Sequence, residues 1–167
     1  MGLGLDWPSV RPFKNKVEQT KAVADFLTSH FKAAKLLATF MATKSIIKPK
    51  NSPAALGPYN HAVRVGDLLF CAGQIPINPA DGNLVTGDIK VQTDRVLQNV
   101  KAILDDQCLT FANVVKSTVF LTNLGDFAGM NEIYAKYFTE NFPARSTVQV
   151  AALPKGAGVE IEVIAHF

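Results

Sequence analysis

Between Ala62 and Ala165 the spacing of apolar residues switches from every second position to every third or fourth and back again. Such a change of period fits a mixed α+β domain better than a helical bundle or a sandwich of strands. Ala62–Val65 and Leu68–Ala72, separated by Gly66-Asp67, read as a hairpin. Ile89, Val96, Val100, Ile103 and Leu104 then share one face of a predicted helix, capped by Asp88 and running through Gln107. Val114–Leu121 is the next expected strand. Asp126 is expected to cap a second helix through Phe138, which Pro143 bars from continuing. Ser146–Ala151 and Val159–Ala165 read as strands, with Val159, Ile161, Val163 and Ala165 facing inward. Ile46-Ile47-Lys48 is a shorter strand candidate, and residues 51–58 and 78–83 are rich in turn formers. The order predicts one sheet with two helices packed on one face. The other face then needs cover, which oligomerisation ordinarily supplies.

Composition narrows the partners. With 48% hydrophobic and 19% charged residues, the 167-residue chain has ample material for a packed core. No apolar run approaches the ~20 residues of a membrane-spanning helix. The net charge of +3 lies wholly in residues 1–40, where six basic residues face three acidic ones; residues 41–167 balance eleven against eleven. The balanced part has no electrostatic footprint for a nucleic-acid backbone. Cys71 and Cys108 match no metal spacing and read as reduced, buried, inert thiols.

Residues 1–40 form an extension outside the 41–167 domain. From Phe13 to Phe40, Val17, Thr20, Ala24, Leu27, Phe31, Ala34 and Leu37 recur at helical steps, with lysines on other faces. A basic amphipathic leader of this kind fits an organellar, for example mitochondrial, transit peptide. Its three acidic residues and single arginine fit equally a leader without ordered structure in a cytoplasmic protein. Both readings stay open. N-myristoylation fails because Asp6 stands where Ser or Thr is required.

Chemistry concentrates near the C-terminus. Phe142-Pro143-Ala144-Arg145-Ser146 presents a lone arginine past a proline, and Val159–Val163 carries Glu160 and Glu162 on a strand of the same sheet. A guanidinium fork holds a carboxylate bidentately, and a nearby carboxylate can activate water. Together, Arg145 and Glu160 suggest a small pocket in which water attacks an anionic metabolite. Glu162, on the same strand face, reads as solvated or ion-paired, and His61 as structural or peripheral.

Gly57-Pro58-Tyr59, Ala72–Pro76, Asn99–Ile103, Val115–Leu121, Phe142–Ser146 and Glu160-Ile161-Glu162 together resemble the reactive-intermediate deaminase family, RidA/YjgF/UK114. The resemblance runs from about residue 44 to the C-terminus. It implies a chorismate-mutase-like α+β fold, a homotrimer with sites in the clefts between subunits, and no metal or organic cofactor. The implied activity is hydrolysis of 2-imino or enamine acids, such as 2-iminobutanoate and 2-iminopropanoate, to 2-keto acids and ammonia. In that resemblance Arg145 binds the substrate carboxylate, Tyr59 and Asn131 line the pocket, Glu160 polarises the water, and Gly73 permits close approach of backbone to ligand. This chain has Ala72 where the family often has Ser, and Thr147 where it often has Cys; Thr147 keeps a hydroxyl for a supporting role. Two other readings accompany the resemblance: a non-catalytic trimer that binds small metabolites or acts as a chaperone, and a ribonuclease or translation inhibitor. The balanced charge of residues 41–167 counts against the last.

Overall fold

Two units divide the chain, residues 1–42 and 43–167. The computed structural model describes residues 20, 21, 23–26, 28, 29, 43–50 and 57–167. In the first unit the described positions are helical, and Thr28 Oγ1 and Ser29 Oγ donate to the carbonyls of Ala24 and Phe26. The remainder of the Phe13–Phe40 segment, like the 51–56 loop, lies outside the described residues.

The second unit builds one sheet from β1 (Lys44–Ile47), β2 (Ala62–Val65), β3 (Leu68–Gln74), β4 (Val114–Leu121), β5 (Ala144–Gln149) and β6 (Val159–His166). The strands lie in the order β1-β2-β3-β6-β4-β5. Every pairing is antiparallel except β4 with β5. A parallel pair cannot be joined by a tight turn, and the connection between these two carries helix α2 (Phe127–Tyr137). Helix α1 (Ile89–Asp106) lies between β3 and β4 in the chain.

The helices cover one face. Val96, Leu97, Val100, Ile103 and Leu104 of α1 and Met130 of α2 are fully buried against Leu69, Val119, Leu121, Val159, Ile161 and Ala165 of the sheet. Each large aliphatic side chain so buried contributes roughly 1.5–3 kcal/mol relative to exposure. The other face carries Ile46, Val63, Phe70 and Ile164 in one row across β1, β2, β3 and β6. Ile46 and Phe70 in that row are exposed.

Several expectations change at their edges. Asp88 caps α1 as expected, its carboxylate accepting from Val91 N at 3.0 Å. Asp126 does not cap α2. A capping side chain needs extended backbone at its own position, and Asp126 (φ −83°, ψ −1°) is already helical. The extended residue is Asn123 (φ −143°, ψ 114°), which accepts from Gly125 N at 2.9 Å and opens a 3-10 turn ahead of the helix. Nor does Pro143 end α2. Phe138 turns extended there (φ −104°, ψ 92°) because its ring is drawn into the core, stacked on Tyr134 at a centroid distance of 4.2 Å. β5 accordingly starts at Ala144, two residues before the expected Ser146. Cys71 is buried, its thiol pushed up to about 12 by desolvation. Cys108 is exposed, contrary to expectation, because it occupies a left-handed turn (φ 57°) just past α1.

The contrast between the caps can be measured. Asp88→Ala should lower stability by about 1 kcal/mol in chemical denaturation. Asp126→Ala should cost less than half of that, since it leaves no backbone donor without a partner.

Candidate functional site

Arg145 sits on β5 opposite Ser117 of β4, which is opposite Val163 of β6. Ser117 and Val163 are buried beneath the helices, so this row of side chains faces α1 and α2. The Arg145 guanidinium lies 4.6 Å from the centroid of the Tyr134 ring and 5.7 Å from that of Phe127. Both rings belong to α2 and hold the cation through their faces. Beneath the arginine, the Tyr134 hydroxyl and Ser117 Oγ are hydrogen-bonded at 2.8 Å in a buried setting. Burial raises the Tyr134 hydroxyl's pKa, opposed by the Ser117 bond and the Arg145 charge, which keeps the ring neutral. Asn131, Tyr134, Ala135, Phe142, Pro143 and Arg145 line a concavity of about 430 Å³. Thr147 lies two residues further along the same face of β5, and its buried Oγ1 has no hydrogen-bond partner among the described residues.

Glu160 lies elsewhere. It pairs with Phe120 of β4, which pairs with Val148 of β5. Each of these residues is an odd number of positions from its counterpart in the Arg145 row. Side chains on a strand alternate between faces, so Glu160 projects from the face that the helices leave open. There Tyr59, Ala72, Gly73, Ile75, Pro154 and Glu160 line a second concavity, of about 330 Å³. Gly73 leaves space for the carboxylate: a Cβ at that position would fall 1.9 Å from Glu160 Oε1 and 2.8 Å from its Cδ, so the glutamate would have to move. The glutamate thus lies across bare backbone. Desolvation, and to a smaller extent the charge of Glu162, raises the Glu160 pKa above the usual carboxylate range. Glu162 is exposed on the same face, as its spacing implies.

The structure therefore brings Arg145, Asn131 and Thr147 to one face, and Tyr59, Gly73 and Glu160 to the other. Within one chain Arg145 and Glu160 line different concavities, because strand parity separates them. Sequence reasoning also missed the aromatic seat of Arg145. Tyr134 was within reach of inference, standing three residues after Asn131 on the same helix face. Phe127 and Ser117 carry no comparable signal, since their proximity depends on how α2 crosses the sheet. Among the described residues no group of three or more His, Cys, Asp or Glu side chains could hold a metal ion.

A six-stranded mixed sheet bearing two helices, with a basic aromatic concavity on one face and an acidic one on the other, describes a small α+β protein. The chain belongs to the RutC/RidA/YjgF family: the family model described as endoribonuclease L-PSP matches residues 49–167. It is 50% identical over 123 residues to a RutC family protein of Pyrococcus abyssi, covering 74% of this chain and 97% of the relative. It is 44% identical over 122 residues to the human 2-iminobutanoate/2-iminopropanoate deaminase, covering 73% of this chain and 89% of that protein. The crystal structure of E. coli TdcF with bound serine superposes with a TM-score of 0.70 at 43% identity, covering 74% of this chain and 98% of that one.

The Glu160 environment has a consequence for stability. A carboxyl whose pKa is raised on folding favours the protonated native state, so its contribution is most favourable below the ordinary carboxylate range. It becomes a cost as pH rises through that range towards the folded value. Glu160→Gln should therefore melt at a higher temperature than the parent near pH 7, and the difference should vanish below about pH 4. Paired thermal melts across that range check it.

Proposed function

We propose that this protein hydrolyses small 2-imino or enamine acids, such as 2-iminobutanoate and 2-iminopropanoate, to 2-keto acids and ammonia. The sites would lie between the subunits of a homotrimer. The observation that carries this reading is the division of the site residues between two faces of one sheet. A contact joining two different patches on identical chains is heterologous, and it closes into a ring rather than a two-fold pair. Three copies could bring the Arg145 concavity of one protomer onto the Glu160 concavity of the next. Such a contact would also cover the exposed row containing Ile46 and Phe70. The names of the human relative and of the serine complex of TdcF support a small ligand that carries a carboxylate.

The chemistry follows from the residue types. Arg145, held flat by Tyr134 and Phe127, takes the substrate carboxylate in two parallel N–H···O bonds, with Asn131 and the Thr147 hydroxyl beside it. That places the C=N carbon, one bond away, above the Glu160 carboxylate of the adjoining concavity. Water attacks this carbon while Glu160 accepts its proton, giving a tetrahedral carbinolamine. Return of the proton to nitrogen, followed by transfer of the carbinolamine hydroxyl proton to Glu160 as the C=O bond forms, lets the C–N bond break, releasing ammonia and the 2-keto acid. A carboxylate within hydrogen-bond reach of the water serves as its general base. Positioning by the arginine supplies much of the remaining barrier reduction. A trimer that only binds metabolites would need Arg145 and leave Glu160 idle, so Glu160→Gln separates the two readings.

Complementation tests the shared site. Arg145→Ala should lower kcat/KM for 2-iminobutanoate by roughly 30- to 1,000-fold, the equivalent of about 2–4 kcal/mol. Glu160→Gln should lower kcat while still binding 2-keto acid. Co-refolding the two variants in equal amounts should restore activity to about a quarter of the sites, because some interfaces then pair an intact Arg145 with an intact Glu160. No recovery in verified mixed oligomers would refute a site shared between chains; parental turnover in both variants would remove Arg145 and Glu160 from the chemistry, and absence of turnover in the parent would leave only the binding module.

The oligomer itself can be weighed. Light scattering on a chain lacking residues 1–40 should report a mass of three copies, with turnover close to that of the full chain. A stable monomer, or a dimer, would contradict the ring.

A further inference from the structure

β3 and β6 fall out of step beside the acidic concavity. Cys71 pairs with Val163 and Gln74 with Ile161, so three steps on β3 match two on β6. The surplus residue is a β-bulge at Ala72–Gly73, both of which line the Glu160 concavity. A bulge, and the non-sheet segment after it, strip backbone carbonyls of ladder partners, and buried carbonyls need donors.

Two buried primary amides meet that need. Gln74 Nε2 donates to the carbonyls of Ala72 and Gly73, at 3.0 and 3.3 Å. Asn99 Nδ2, on α1, donates to the carbonyls of Ile75 and Ile77, at 3.1 and 2.9 Å. Asn99 is 0% exposed and lies among Val96, Val100 and Ile103, where an aliphatic side chain would suit the core better than an amide. Two helical turns earlier, Gln92 Oε1 accepts from Gly158 N at 2.8 Å, and its Nε2 donates to Gly87 O at 3.0 Å. Gly158 stands two residues before Glu160. One helix therefore grips both chain segments that bound the acidic concavity: the segment just past β3 through Asn99 and the residue that leads into β6 through Gln92.

We propose that Asn99 is a positioning residue for the water-activating carboxylate, holding the bulged end of β3 where Glu160 can lie across Gly73, with Gln92 fixing the opposite wall. This rests on the imine-hydrolase reading for its rate consequences, and on the geometry of the concavity alone for its structural ones. Asn99 touches no reacting atom in this scheme; it acts through Ile75–Ile77 and Gly73.

The test is Asn99→Ala, which leaves room for water to solvate the two released carbonyls. Kinetics with 2-iminobutanoate, binding of 2-ketobutanoate and carboxyl carbon-13 NMR titration of Glu160 are measured on variant and parent. A slack concavity should lower kcat by about 10- to 100-fold, leave KM and 2-ketobutanoate affinity unchanged, and bring the Glu160 titration towards the ordinary carboxylate range. The neighbouring Glu162 and Tyr59 are the same in both proteins, so they do not account for the change. A folded Asn99→Ala variant with parental kcat and parental Glu160 titration overturns the proposal. If that variant does not fold, Gln92→Ala, at a partly exposed position, takes its place; a smaller shift in the same direction supports the proposal, and parental behaviour overturns it. A parent inactive on 2-iminobutanoate would defeat the hydrolase reading, while the Glu160 titration would still decide the positioning claim.

Discussion

Everything chemical in this fold follows from alternation along β6. Val159, Ile161, Val163 and Ala165 must face the helices, because their burial against α1 and α2 is a large part of what holds the domain together. Glu160 and Glu162 are thereby forced onto the opposite face. The same parity, carried through β4, sends Arg145 to the helix side. A one-residue slip of β6 would bury two carboxylates and expose the core residues. The register that stabilises the domain and the register that separates the two charged groups are thus one and the same.

The two concavities are built on different physical grounds. Arg145 is seated over the rings of Tyr134 and Phe127, above a buried hydroxyl pair. Glu160 is seated by an absence, the missing Cβ of Gly73, and by a bulge that bends β3 away from ladder geometry. The second arrangement costs stability: it desolvates a carboxylate and exchanges ladder hydrogen bonds for side-chain amides. Local departures of this kind concentrate where a fold does chemistry.

Helix α1 links these costs to the core. Its apolar stripe secures it to the sheet, and its few inward polar side chains, Thr93, Asn99 and Gln92, are spent on backbone groups. Asn99 and Gln92 reach the two segments that flank the acidic concavity. The helix is at once a core element and the frame on which that concavity is aligned.

Much of the fold was legible in the chain, for local reasons. The helical and strand periods located both helices and the strands of the second unit to within a few residues, because burial on one face dictates each pattern. Asp88 announced its cap. The misplaced cap at Asp126 and the exposed Cys108 depended on backbone conformations set by packing, which composition does not encode. The largest difference lies at the site. Sequence could single out Arg145, Asn131, Thr147, Tyr59, Gly73 and Glu160 as candidates. Only the pairing of β4 with β5 and β6 decided which of them share a face, because the parity of a strand is meaningful only relative to its neighbours, and those neighbours are distant in the chain.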